Sequence, residues 1–150
     1  MSTVIWLVGL VVALYVVYMV AAGIYGASQP PENNGANYTK HLLKKRGLDV
    51  SKVPPDCWRE IGLLAAKAYN FHSTMLAQGI EMPGMQGMRG EGSATVLIKV
   101  CEIVSDLIVA WAYESSPDSS LGEQLSEIDN VFRQFGLTPS DLRPNTSASR

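Results

Sequence analysis

Thr3 to Tyr25 reads TVIWLVGLVVALYVVYMVAAGIY, 23 residues without a charge, and tyrosine is the sole ionisable side-chain type before Glu32. As a helix this stretch rises about 34 Å, enough to cross a hydrocarbon core of about 30 Å. The expectation is a single N-terminal transmembrane helix. A cleavable signal peptide is the rival, because Val20-Ala21-Ala22 and Gly26-Ala27-Ser28 resemble small-residue cleavage sites. The apolar run exceeds the roughly 7–15 residues of a signal core, and no Lys or Arg precedes it, so the anchor is preferred.

Basic residues follow the stretch rather than precede it: Lys40, Lys44, Lys45 and Arg46. Lys and Arg favour the cytoplasmic side, so the expected topology is single-pass, N-terminus outside and C-terminal domain cytoplasmic. Between Asn37 and Lys67 there are seven basic and three acidic residues, and beyond Lys67 ten acidic and five basic. That polarity suits contact of Lys40, Lys44, Lys45 and Arg46 with anionic lipid. It does not suit nucleic acid, which calls for a basic domain with a basic stripe.

Periodicity divides the chain into a membrane anchor over 1–27, a linker over 28–36 (SQPPENNGA from Ser28), a helical bundle over 37–142 and a disordered tail over 143–150. In the bundle, Asn37 caps a short helix from Tyr38 to Arg46, closed by Gly47. Asp56 opens a helix from Cys57 to about Gln78, with Trp58, Ile61, Leu64, Ala65, Ala68, Phe71, His72, Met75 and Leu76 forming one apolar stripe. Ser93 caps a third helix, Ala94 to about Glu114, apolar nearly all round apart from Lys99, Glu102 and Asp106. It reads as a buried central helix, with a second span as the alternative disfavoured by those charges. A capping box at Ser120 and Glu123 starts a fourth helix with Leu121, Leu125, Ile128, Phe132 and Phe135 on one face, ended by Gly136. Gly-Leu-x-x-Ser recurs at Gly47 and Gly136 as a shared C-cap phrase. The fold class is therefore all-α: one transmembrane helix followed by a small soluble bundle of three main helices and one short helix.

Two cysteines make no disulfide framework, and two sequons, at Asn37 and Asn145, matter only for a luminal domain. With His41 and His72 as the only histidines, Ser- or Cys-based catalysis lacks a base. Gly87 to Ser93 superficially resembles a phosphate loop but has no Lys before the Ser and no strand before it. The expectation is a protein that is not an enzyme.

Four features remain. Within the first stretch Tyr15, Tyr18, Ala22 and Tyr25 share one helical face, the expected contact with other membrane-protein subunits. Met82, Met85 and Met88 form a threefold Met-x-Gly repeat, either an adaptable contact loop or thioether ligands for copper as Cu(I). Copper sites of that kind are more useful outside the cytoplasm, which the expected topology does not match. If the second and third helices form an antiparallel hairpin, facing positions sum to about 172. His72 and Met75 then approach Cys101 as a weaker metal or haem alternative, while Lys67 approaches Asp106 as an ion pair. Cys57 falls about 21 Å from the level of Cys101, too far for a disulfide. The functional expectation is a non-enzymatic, membrane-anchored accessory or scaffold subunit without a cofactor. The alternative is a tethered soft-metal (copper) or cofactor binder that uses the Met-x-Gly loop.

Overall fold

A computed structural model of the chain describes residues 31–113 and 122–144. The chain divides into two compact units, residues 1–30 and 31–150, and the described residues all belong to the second. They form five helices and no strand: α1 (Pro31–Lys45), α2 (Pro55–Ala77), α3 (Ser93–Ala112), α4 (Gly122–Gln134) and α5 (Pro139–Leu142). The all-helical expectation holds for these residues.

The membrane assignment does not. Among the described residues no helix is long and apolar enough to cross a membrane. The single-pass expectation, with an outside N-terminus and a cytoplasmic helical domain, is therefore corrected: the described helices gather most of their apolar residues into one core. The same holds for the suggested second span, since α3 buries Val96, Val100, Val104, Ile108 and Trp111 within the bundle. The Thr3–Tyr25 stretch and its Tyr15, Tyr18, Ala22 and Tyr25 face lie outside the described residues. So does Ser120 of the expected capping box.

The first helix begins earlier than periodicity indicates. Residues 31–36, expected as linker, already belong to α1. A proline in the first turn is compatible with a helix start, and the low helix propensity of Asn and Gly is a weak prior that packing overrides. The packing is specific. A Cβ built on Gly35 would stand 3.3 Å from the Ala65 Cβ and 3.7 Å from the Gly62 carbonyl oxygen. Gly35 is thus where α1 meets α2, and Ala36, Thr39 and Leu43 continue the same buried face. On α3, the Cys101 thiol donates to the Gly35 carbonyl oxygen at 3.7 Å. α1 rests on both α2 and α3 and is a core element, with more of its surface committed than a short peripheral helix would have.

Helix ends follow local chemistry. Gly47 (φ +82°) and Gly136 (φ +72°) occupy left-handed positions after α1 and α4. In both, the glycine N–H reaches back three residues, to Lys44 and Arg133, and the following leucine N–H reaches back five, to Leu43 and Phe132. This double bond is the Schellman motif, which satisfies carbonyls that the helix leaves open. Leu48 and Leu137 are buried after the turn, beside the fully buried Leu43 and Phe132. The Gly-Leu-x-x-Ser phrase is therefore a C-cap that folds each leucine under its own helix.

The short α5 has no counterpart in the sequence reading. Its signal was Thr138-Pro139-Ser140-Asp141: the Asp141 carboxylate accepts from the Thr138 backbone N–H at 2.9 Å, with proline in the first turn. Two hydrogen bonds tie it in, one from backbone and one from a side chain. Asp49 N–H donates to the Leu142 carbonyl oxygen at 2.9 Å, and Arg143 Nε donates to the Ala112 carbonyl oxygen at 2.6 Å, at the end of α3. α4 is held by Trp111, whose ring stacks on Phe132 with centroids 4.5 Å apart and planes 14° from parallel.

Candidate functional site

The Met-x-Gly repeat builds a structure of its own. Met85 N–H donates to the Met82 carbonyl oxygen, Met88 N–H to Met85, and Glu91 N–H to Met88, at 3.0, 3.2 and 3.2 Å. The third residue of each four-residue unit is a glycine at positive φ: Gly84 (+80°), Gly87 (+79°) and Gly90 (+84°). An i to i+3 bond with positive φ at i+2 is the type II turn, and Pro83 at i+1 of the first is the preferred residue there. Each methionine begins one turn, and Met85 and Met88 also end the turn before. Residues 82–91 are a ribbon of three linked turns.

That ribbon lies against the bundle. Met85 is buried at 2% exposure, and Met82 and Met88 are half-buried against the core. The Met85 side chain, expected as part of an exposed contact loop, is core; the apolar wall it meets holds the ribbon down. Gly84 confirms the closeness, since a Cβ there would lie 3.3 Å from Ile103 Cδ1.

Between the ribbon and helices α2, α3 and α4 lies a cleft of about 420 Å³. Its inner wall carries His72, Met82, Met85, Val100 and Val104, and its mouth Lys67, Phe71, Gln124 and Glu127. A second hollow of about 410 Å³ shares Leu64, Lys67 and Glu127 with the cleft and extends it past Leu63 and Val131. Together they form a groove between α2 and α4. On the other side of His72 a hollow of about 320 Å³ is lined by Tyr69, Met88 and Val96.

His72 is the most unusual group in this wall. It is 1% exposed, and neither ring nitrogen has a hydrogen-bond partner. A buried polar atom left without a partner costs about 1–3 kcal/mol, so the imidazole is held there against its own solvation preference. The expected pairing with Cys101 does not form this wall. Cys101 turns instead toward α1, against Gly35 and the Thr39 hydroxyl, and burial raises its thiol pKa while Thr39 pulls it the other way. Met75 is half-buried near the end of α2 and lines none of these three hollows. The hairpin register is close to that expected, since Ala68 and Val104, and His72 and Val100, line one cleft. The Lys67–Asp106 pair is not formed: Asp106 pairs with Arg46, and Lys67 stands at the groove.

The basic residues of α1 and the turn after it are partly engaged within the domain. Lys40 lies over the Trp58 ring, 5.6 Å from its centroid, and Arg46 holds Asp106; Lys44 and Lys45 are exposed. Both cysteines are free and buried. Burial, with Glu60 adding to it, pushes the Cys57 thiol up to about 12. Among the described residues no group of three or more His, Cys, Asp or Glu side chains is placed to hold a metal.

Sequence reasoning missed the groove residues Leu63, Glu127 and Val131. The available signal was the two-turn spacing of Leu63, Leu64, Lys67, Ala68 and Phe71 on α2 and the facing Glu127–Val131 spacing on α4. Phe71, assigned to the core stripe, is 54% exposed and Leu63 36%. The architecture is a small all-helical domain with an apolar groove and a buried, unbonded histidine. Comparison with protein-family models, curated proteins and solved structures finds no match.

Proposed function

We propose that this domain is a non-enzymatic accessory or scaffold subunit that receives an amphipathic helix of a partner protein in the α2/α4 groove. The observation that carries the reading is the exposure of Phe71 and Leu63 along a groove that also presents Leu64 and Val131. Leu63, Leu64, Lys67, Ala68 and Phe71 cover two turns of α2, the length over which a docked helix presents apolar residues at i, i+3, i+4 and i+7. Charge sets its polarity. Lys67 and Glu127 border both halves of the groove, and neither belongs to the ion pairs of the described residues. The fitting helix therefore flanks its apolar stripe with an acidic residue for Lys67 and a basic one for Glu127.

The test uses the full chain with a photoreactive phenylalanine analogue at position 71, affinity-purified in mild detergent. A stoichiometric partner crosslinked through a helical segment, and lost in the Leu63→Asp/Phe71→Asp variant, supports the reading. Elution of the protein alone, or retention of the same partner by the double variant, rejects it.

A further inference from the structure

We propose that His72, Met82 and Met85 form a three-coordinate Cu(I) site on the inner wall of the cleft. The three side chains line the same cavity, and each reaches it from a rigid support. His72 projects from the C-terminal third of α2, more than a turn before the helix ends. Met82 and Met85 are the first and last residues of one turn closed by a 3.0 Å backbone bond, which sets their Cα atoms within about 7 Å of each other. Two flexible thioethers starting that close can converge on one ion.

The donor chemistry selects the metal. Two soft thioethers and a borderline imidazole are all neutral, a set that favours Cu(I) over the hard, oxygen-seeking Ca²⁺ and Mg²⁺. Structural zinc sites use thiolate and imidazole, and here both thiols are elsewhere: neither Cys57 nor Cys101 lines this cleft. The surroundings suit a monovalent ion in a neutral donor set, since Val100, Val104 and Leu107 make the wall apolar while Lys67 and Glu127 at the mouth offset each other in charge. Most specifically, coordination supplies a partner to an imidazole that has none. His72 is 1% exposed with both nitrogens unbonded, and a lone pair directed at a metal removes one of those two deficits. Met88 lines the adjoining hollow with His72 and is a third thioether near the site.

Binding would be read by anaerobic titration of the full chain with Cu(I) against a chromophoric chelator, in a Cys57→Ala/Cys101→Ala background that removes thiolate competition. One equivalent is expected, with X-ray absorption showing both nitrogen and thioether sulfur scatterers. Met82→Leu/Met85→Leu, which keeps side-chain volume, should weaken binding at least tenfold with the circular dichroism spectrum unchanged. His72→Gln should do the same and remove the nitrogen scatterer. No copper retained against the chelator, or unchanged affinity in the double methionine variant, overturns the proposal. Leu63→Asp, at a residue that lines the outer hollow and not the copper cleft, should leave copper affinity intact while weakening helix docking, so failure of the helix-docking reading and failure of this one are separable.

Discussion

Trp111 and Asp129 are joined across α3 and α4 by a 2.8 Å hydrogen bond from the indole Nε1 to the carboxylate, beneath the stack of Trp111 on Phe132. The bond, and after it Arg133, holds the Asp129 pKa below its ordinary 3.8. A carboxylate depressed in the folded state contributes stability above its unfolded pKa and loses it as pH falls through the folded value. Folding stability should therefore be level above about pH 5 and decline as pH drops through and below 3.8. Asp129→Ala should cost about 1–2 kcal/mol at pH 7 by leaving the indole N–H unpaired. Asp129→Asn should keep the bond yet flatten the acid limb. Urea unfolding at pH 7 and pH 3 measures both; an acid slope unchanged in Asp129→Asn assigns it to other carboxylates. Arg133 matters less, because its pair with Asp129 is largely solvated.

Gly35 should tolerate one methyl group and no more. Alanine would gain about 1 kcal/mol of helix propensity against a contact of 3.3 Å with Ala65, giving a small net change. Gly35→Leu should destabilise by about 1–3 kcal/mol through overpacking, and Ala65→Gly should partly restore it. Denaturant midpoints of the two single variants and the double variant test this crossing. An unaffected Gly35→Leu would mean that α1 does not seat on α2 there.

The paired caps should respond alike. Gly47→Ala and Gly136→Ala each force a side chain into left-handed backbone, a penalty of about 1–2 kcal/mol. At Gly92, the N-cap of α3, φ is −68° and no side chain caps the helix, so Gly92→Ser should stabilise by a few tenths of a kcal/mol. Thermal melts of the three variants should thus move in opposite directions by site.

The thiols should be silent in the native protein. Cys57 and Cys101 are fully buried, and burial raises both pKa values, Cys57 to about 12. Since the thiolate is the nucleophile, alkylation at pH 8 should be slow in buffer and rapid in guanidinium chloride. Mass spectrometry of the labelled chain distinguishes the two sites, and rapid native labelling of either would place it at the surface.

Periodicity and punctuation determined a good deal by themselves. The apolar stripes of Ile61 and Ala65 and of Val100, Val104 and Ile108, the break at Pro54-Pro55, and the glycine caps after α1 and α4 specify the limits of α2 and α3 and the ends of α1 and α4 within a few residues of those observed, because these signals act within one or two turns of backbone. The Met-x-Gly string was recognisable as unusual, since Gly at every third position permits repeated positive φ. Tertiary structure decided what local rules do not contain. The segment at 31–36 reads as a linker by propensity, yet it is helical because Gly35 lets two backbones approach at Ala65. Phe71 belongs to the apolar stripe of α2 but stays exposed, since α4 leaves a groove beside it. The meeting of His72 with Met82 and Met85, and the turning of Cys101 toward Gly35, depend on which face of each helix meets which neighbour. Sequence spacing sets the axial level of a side chain, and only packing sets the azimuth.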